Sequence, residues 1–246
     1  MIINLAMKSH RFPQIPLRVV TTTCLFAVTS FAADKPRKAP PAQPASQYAA
    51  FDAHPNERVT VAAEPCDDVR DCDFFRLPYA SHGLLPVRVI FTNDSDTELS
   101  LDDVRIQFIS INNDKIPAAT DDDIQRRLFS TRSAMGTKVP LVPLTIHHEP
   151  VDKKITADDI DFGFSTTTVK PHSTLAGYLF YDVKPLEVEY PLKGAQLYVK
   201  MVYTAPDKDG NKKQLFDFNI PFDKWLAAQS GKKEKPSDAP PKSTTP

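Results

Sequence analysis

Period-two alternation of apolar residues is the feature that most constrains the fold of this chain. The clearest example is LPVRVIFTN, residues 85–93, in which four apolar side chains fall on one face of a strand: Leu85, Val87, Val89 and Phe91. Because successive side chains of a strand point to opposite faces, the pattern predicts a half-buried strand of an antiparallel sheet. The polar segment NDSD at 93–96 is predicted to form a turn, since Asn, Asp and Ser side chains bond to nearby backbone groups.

The same alternation recurs along the chain and predicts six or seven strands in all. The additional segments are 57–64, 104–111, 168–183, 195–203 and 213–222. We expect 104–111 to pair with 85–93, and 168–183 to be a central strand because both of its faces are apolar. The loop DKDGN at 207–211 is predicted to close a hairpin. So many short strands, with 23 prolines and two short helical segments, are typical of an antiparallel β-sandwich.

Two segments carry signals for the start of a helix. Thr120 precedes the acidic run Asp121–Asp123, and carboxylates in the first turn of a helix favour the positive end of its dipole. The run predicts a short surface helix with Arg126 and Arg127 near its other end. A calcium site at the three aspartates is the alternative, but Ca²⁺ prefers oxygen ligands spread around a loop. Thr156 predicts the start of a second short helix in the same way.

The first 32 residues are typical of a secretory signal peptide. They carry basic residues and no acidic residue, then the apolar run VVTTTCLFAV and small residues that predict cleavage near Ala32. The apolar run is shorter than the roughly 20 residues that a membrane-spanning helix needs. We therefore expect export to the periplasm or the extracellular space. Because the apolar stretch continues through Leu25 and Phe26, the sequence favours this interpretation over a lipoprotein anchored at Cys24.

Composition divides the rest of the chain into one domain between two polar segments. Residues 33–48 are rich in Pro, Ala and Lys and predict an extended, disordered linker. Residues 227–246 have the same character and predict a disordered polar tail. The remaining segment, 49–226, has the length of one domain and is predicted to form the sandwich.

The charge balance argues against a nucleic-acid partner. The 30 basic residues lose Lys8, Arg11 and Arg18 with the signal, which leaves 27 against 31 acidic residues. A nucleic-acid-binding domain usually carries an excess of clustered basic residues, and here the basic residues are scattered.

Cys66 and Cys72 are the two cysteines that follow the signal peptide. In an oxidising compartment, a pair this close predicts a disulfide that closes a small loop. A redox pair or a metal site are the alternatives, but the spacing differs from the Cys-x-x-Cys pattern of redox enzymes, and no paired histidines lie nearby at zinc-ligand spacing.

His147, His148 and Glu149 form the most chemically suggestive cluster in the sequence. Imidazole and carboxylate groups bind zinc and copper, so the cluster is a candidate metal site. The cluster lies in the proline-punctuated segment 131–155, which predicts an edge strand or a long inserted loop. Because adjacent residues of a strand point to opposite faces, three consecutive side chains cannot all bind one ion without distortion. The sequence therefore favours a polar loop edge over the metal site.

Two segments resemble a known class of bacterial secreted module. In LPVRVIFTNDSDTELSLDDVRIQF a strand ends in an Asn-containing turn, and in TVKPHSTLAGYLFYDV a turn leads into a core strand. Together they resemble the immunoglobulin-like domains of the DUF4352 kind, in which glycine usually occupies the position of His172. The resemblance implies an immunoglobulin-like antiparallel β-sandwich, with one or two short helices in loops, at the cell envelope or outside the cell. It implies no catalytic residues.

These observations favour a non-enzymatic binding or envelope-assembly module with an envelope protein or polymer as its partner. The sequence has no Gly-x-Ser-x-Gly and no His-Glu-x-x-His pattern, and it predicts no cofactor. Two alternatives stay open. One is a periplasmic metal-binding protein that uses scattered histidines, and the other is a hydrolase whose carboxylates meet only in the folded chain.

Overall fold

The computed structural model describes residues 37–67, 72–129, 137–138, 145–146, 150–206 and 208–233. The strands are β1 (Phe51–His54), β2 (Val59–Pro65), β3 (Leu84–Asn93), β4 (Leu99–Ser100), β5 (Arg105–Ile109), β6 (Lys115–Pro117), β7 (Thr137–Lys138), β8 (Thr145–Ile146), β9 (Thr168–Val169), β10 (Ser173–Asp182), β11 (Gln196–Lys200), β12 (Tyr203–Thr204) and β13 (Phe218–Pro221). The helices are α1 (Asp121–Leu128), α2 (Val151–Phe162) and α3 (Asp223–Lys233), and short 3-10 turns lie at Ala45–Gln47, Ala80–His82 and Lys184–Leu186.

The described strands form two four-stranded sheets, a smaller sheet and a ribbon, and all the pairings are antiparallel. The first sheet has the order β1-β2-β3-β10 and the second has the order β13-β11-β5-β6. The three-stranded sheet has the order β12-β4-β9, and β7 pairs with β8. The domain is therefore mostly β-structure, as the sequence predicts.

One hydrophobic core joins the inward faces of the two four-stranded sheets, as in a β-sandwich. Its side chains come from alternate positions of the strands, as period-two patterning requires. The first sheet contributes Val61, Val87, Val89, Phe91 and Tyr181, and the second contributes Phe108, Leu197, Val199, Phe218 and Ile220. The alternation in the sequence therefore marks the faces that meet.

The outer face of the first sheet is buried as well. Ile90 packs with Ala45 and Ala62, and Tyr178 packs with Phe75 and other aromatic residues of a second cluster. Every residue of β3 is buried as a result. The prediction of a half-buried strand at 85–93 is wrong, because a layer of loops and helix covers the face that was expected to meet water.

Two pairing predictions are wrong for related reasons. β5 pairs with β11 and β6 in the second sheet, because the chain crosses between the sheets after β3. Among the described strands, β10 pairs with β3 alone and is an edge strand of the first sheet. Both faces of β10 are apolar because one meets the sandwich core and the other meets the aromatic cluster, and neither contact needs a second neighbouring strand.

Local signals are confirmed where they involve only neighbouring residues. The Thr120 side chain accepts a hydrogen bond from the Asp123 N–H, and the Asp123 carboxylate accepts one from the Thr120 N–H, which completes a capping box for α1. The turn at 93–96 forms as expected, with the Asn93 side chain accepting a hydrogen bond from the Ser95 N–H at 3.0 Å.

The second predicted helix begins earlier than the sequence indicates. α2 begins at Val151, and Thr156 lies inside it, with its hydroxyl donating to the Asp152 carbonyl at 3.0 Å. Ile155, Asp158 and Phe162 share the buried face of the helix. Packing of that face against the aromatic cluster extends the helix beyond the local cap signal.

Regular structure lies on both sides of the two predicted domain boundaries, at 48/49 and 226/227. Residues 37–48, assigned from composition to the linker, lie against the first sheet, and the Ala45 N–H donates to the Thr92 hydroxyl at 2.8 Å. Helix α3 continues to Lys233, past the predicted start of the tail at 227. We call residues 37–48 the N-terminal arm.

We expect Ala45→Glu to lower the free energy of unfolding by about 1–3 kcal/mol, because Ala45 is fully buried against the first sheet. Ser46→Glu is the matched control, since the Ser46 side chain faces solvent, and it should change stability by less than about 0.5 kcal/mol. Urea unfolding measures both. Equal stability of the two variants would contradict docking of the N-terminal arm.

Candidate functional site

The predicted metal ligands His147, His148 and Glu149 lie outside the described residues. The Sγ atoms of Cys66 and Cys72 are 1.97 Å apart, at disulfide-bond distance, as the sequence predicts. Within the described part of the chain, no three His, Cys, Asp or Glu side chains are arranged to hold a metal ion.

The three aspartates of α1 serve the start of the helix. Asp123 takes part in the capping box and forms an ion pair with Arg126. Hydrogen bonds from Thr120 lower the pKa of Asp123. The Arg127 side chain extends from α1 to the Asp182 carboxylate of β10, with its Nε 2.7 Å from Oδ2. These contacts account for the charges of Asp123, Arg126 and Arg127.

A buried ionic network lies beneath α2. Arg76 donates from Nη1 to Asp158 Oδ1 at 2.9 Å and from Nη2 to Asp161 Oδ2 at 2.6 Å. The Tyr79 hydroxyl donates to Asp158 Oδ2 at 2.9 Å, and the Arg37 N–H donates to Asp161 at 3.0 Å. The network joins the segment that follows Cys72, helix α2 and the N-terminal arm.

The two carboxyl groups of this network have opposite pKa shifts. Burial raises the pKa of Asp158, and the hydrogen bonds from Arg76 and Tyr79 act against it. Burial also opposes the ionisation of Asp161, but the hydrogen bonds from Arg76 and the Arg37 N–H hold the pKa of that carboxyl below its ordinary value. Since these bonds occupy both Asp158 oxygens, we interpret the network as structural: it holds α2 against the segment that follows Cys72.

His54 lies between two carboxylates at the side where the two sheets meet. Its Nδ1 is 3.1 Å from Glu57 Oε2, its Nε2 is 3.6 Å from Asp52 Oδ2, and its ring stacks on Phe218 at 4.0 Å. The two carboxylates also accept N–H groups of the chain at β13: the Asn219 N–H donates to Asp52 and the Phe216 N–H donates to Glu57. The two carboxylates thus bind backbone N–H groups of edge strand β13 and of the residues just before it. These hydrogen bonds close that side of the sandwich.

A second histidine joins two turns at the protein surface. His172 has a left-handed backbone with φ of +51°, and its Nε2 is 2.9 Å from Asp96 Oδ1. Arg58 Nη1 is 3.0 Å from the other oxygen of Asp96. The His172 hydrogen bond, together with the Arg58 charge, lowers the pKa of Asp96.

A concave site lies between the N-terminal arm, the outer face of the first sheet and helix α3. We call it the arm–helix cleft, and its volume is about 580 Å³. Volumes of roughly 300–1,000 Å³ are typical of sites that bind small molecules. Arg88 of β3 and Glu64 of β2 lie at its base.

The base of the cleft carries compensated charge. Glu64 and Arg88 face each other across β2 and β3 as a cross-strand pair, with Glu64 Oε2 and Arg88 Nη1 3.9 Å apart. The Arg88 side chain is only 4% exposed. Its guanidinium also donates to the Pro40 carbonyl and lies 5.9 Å from the Tyr178 ring centre. Arg88 thereby holds the N-terminal arm against the sheet.

Aromatic and amide side chains line the walls of the cleft. Tyr48 contributes from the N-terminal arm, whereas Trp225 of α3 packs in the sandwich core and, at 7% exposure, adds only a small part of its surface. Three glutamines complete the polar lining: Gln43, Gln47 and Gln229. An amide side chain both donates and accepts hydrogen bonds, and the ring of Tyr48 offers flat apolar surface with a polar edge. Such a lining suits a neutral ligand that has many hydroxyl or amide groups.

Sequence reasoning missed this site because its residues come from segments assigned to a linker, a sheet and a tail. One signal was available: Arg88 stands in the middle of an apolar strand, where a charged residue needs a partner. The partner, Glu64, is distant in sequence and becomes a neighbour only through the β2–β3 register.

No protein-family model, no curated protein and no solved structure matches this chain. Among the described residues, no helix has both the length and the apolar character that crossing a membrane requires.

We expect Asp158→Asn to lower the free energy of unfolding by about 1–3 kcal/mol, because the change removes one of the two carboxylates that compensate the buried Arg76 charge. The neighbouring Asp159 is exposed on the same helix, so Asp159→Asn should change stability by less than about 0.5 kcal/mol. Chemical denaturation compares the two variants. An equal effect would show that the network does not fasten α2.

We expect His172→Ala to raise the pKa of the Asp96 carboxyl toward its ordinary value, since the His172 hydrogen bond is the main cause of the lowering. A lowered carboxyl pKa favours the folded state above the ordinary aspartate range, and this contribution disappears as the pH falls through the lowered pKa. Carboxyl ¹³C NMR titration measures the change. His82→Ala is the control, and an unchanged Asp96 pKa in His172→Ala would refute the assignment.

Proposed function

We propose that this protein is an exported, non-enzymatic binding module and that the arm–helix cleft holds a neutral polymer of the cell envelope. The observation that carries the proposal is the composition of the cleft, which combines Tyr48 and three glutamines above a charge-compensated base. The ligand class follows from that chemistry. A glycan presents hydroxyl groups to the amides and apolar ring faces to the Tyr48 side chain.

Charge complementarity favours a neutral ligand over an ionic one. Arg88 is the basic residue at the base of the cleft, and Glu64 lies 3.9 Å from it on the neighbouring strand. An anionic ligand would compete with Glu64, and a cationic ligand would compete with Arg88. The amide side chains of the cleft are neutral, so they select a ligand by its hydrogen-bond donors and acceptors.

Export and the fold family are part of the same proposal. The disulfide-bonding distance between Cys66 and Cys72 supports an oxidising compartment, where such bonds persist. Two four-stranded antiparallel sheets over one core support an immunoglobulin-like sandwich of the DUF4352 kind. The left-handed backbone of His172, at the position where those modules usually have glycine, adds to that support.

We expect the triple variant Gln43→Ala, Gln47→Ala, Gln229→Ala to bind neutral glycans at least about tenfold more weakly than the native protein, because each lost hydrogen bond contributes about 1 kcal/mol. Isothermal titration against neutral oligosaccharides, and co-sedimentation with the polysaccharide fraction of the native envelope, measure the effect. The three glutamines lie at the cleft surface, so the variant should stay folded.

The matched control removes three amides outside the cleft: Asn112→Ala, Gln125→Ala and Gln214→Ala. It should keep native affinity for the glycan. Equal loss in both triple variants, or failure of the native protein to bind any neutral glycan, would overturn the proposal. Selective binding of a neutral peptide library in the cleft would overturn the glycan class.

A further inference from the structure

A second concave site lies on the inner side of the first sheet, between the two four-stranded sheets. Its apolar lining consists of Leu101, Val104, Ile106, Ala118, Phe164 and Leu179. We call it the intersheet pocket, and its volume is about 200 Å³. Ile106 belongs to the second sheet and Leu179 to the first, so the pocket lies where the sheets part.

The backbone explains why the sheets part at this place. Within the part of the chain that the structure describes, β10 pairs with β3 alone and β6 with β5 alone, so these two edge strands do not continue one sheet into the other. One hydrogen bond joins them nearby, from the Ala119 N–H to the Phe180 carbonyl at 2.7 Å. The resulting gap opens directly onto the sandwich core, because Leu101 and Ile106 belong to both the core and the pocket.

Phe164 forms a fixed wall of the pocket. It lies so close to β10 that a Cβ atom placed on Gly177 would be 2.6 Å from the Phe164 backbone nitrogen. Glycine is therefore required at position 177 for this approach. The absence of a side chain there lets Phe164 pack between the sheets beside the pocket and keeps its ring in the apolar lining.

The polar groups at the rim are engaged by the protein itself. The Thr166 hydroxyl accepts a hydrogen bond from the Thr168 N–H at 3.1 Å. The Thr167 side chain bonds to Asp102 and is the main cause of the lowered pKa of that carboxyl. The rest of the lining is hydrocarbon, in contrast to the amide-lined cleft on the other face of the same sheet.

We propose that the intersheet pocket binds a small neutral molecule through a hydrocarbon group, either a substituted benzene ring or a short alkyl chain. A closed apolar cavity of about 150 Å³ in another protein binds benzene, and the intersheet pocket offers a similar apolar lining that is open to solvent on one side. A pocket of about 200 Å³ accommodates a ring with a small substituent. The volume is too small to enclose a complete lipid acyl chain, which favours a free small molecule over a membrane lipid.

Thermal unfolding with ethylbenzene and hexan-1-ol as probes tests the proposal on the full chain. At ten times the dissociation constant, we expect the melting temperature to rise by about 3 °C or more. Glycerol at the same concentration is the polar control and should produce no comparable rise. Absence of a rise with both apolar probes would overturn the proposal.

A filled-pocket variant assigns the effect to this site. Ala118→Leu places a larger side chain in the pocket and should abolish the rise, whereas Ala53→Leu, at an exposed position of β1, should retain it. Methyl NMR of the unaltered protein provides a second test that needs no variant. Ethylbenzene should shift the signals of Ile106 and Leu179, and shifts confined to other methyl groups would overturn the assignment.

The source of the ligand is tested separately with phosphatidylcholine vesicles. A free small molecule as the natural ligand predicts that the protein stays in the supernatant when the vesicles sediment. Co-sedimentation that Ala118→Leu abolishes and Ala53→Leu retains would assign the pocket to a lipid chain and overturn the small-molecule class. Glycan binding in the arm–helix cleft should be the same in both variants, so failure of one proposal does not decide the other.

Discussion

Burial of β3 on both faces is the constraint on which the rest of the domain depends. Its inner face, with Val87, Val89 and Phe91, meets the second sheet across the sandwich core. Its outer face cannot be left in water, because Ile90 is apolar and Arg88 is nearly fully buried. The N-terminal arm and the layer beneath α2 provide that cover. A chain that lacked this outer layer would have an ordinary two-sheet sandwich with one exposed apolar face.

Polar contacts hold the outer layer in place. The ion pair of Arg76 with Asp158 connects the segment that follows Cys72 to α2. Arg88 connects the N-terminal arm to the first sheet. Hydrogen bonds to charged groups are directional, so they determine where each segment lies, while apolar contacts supply most of the free energy of burial. The buried ionic groups Arg76, Asp158 and Arg88 therefore determine where the segments of the outer layer lie.

The strand alternation that builds the sandwich also separates the two proposed binding sites. Arg88 on the outer face of the first sheet forms the base of a polar cleft, and Leu179 on the inner face lines an apolar pocket. Because neighbouring positions of a strand point to opposite sides, one sheet presents two different chemistries. This arrangement is suited to recognition of two unrelated ligands, and neither site depends on a residue of the other.

The sequence by itself determined the features that depend on neighbouring residues. These are the apolar faces of the strands, the Thr120 capping box, the turn after Asn93 and the pairing of Cys66 with Cys72. The tertiary structure alone decided which strands pair, where α2 begins and whether the N-terminal arm is ordered. Composition assigned the arm to a linker because it has few apolar residues, yet Ala45 docks on a surface made by distant strands. The arm–helix cleft follows the same rule: Glu64, Arg88 and Trp225 are separated in the chain, and only long-range contacts bring them together.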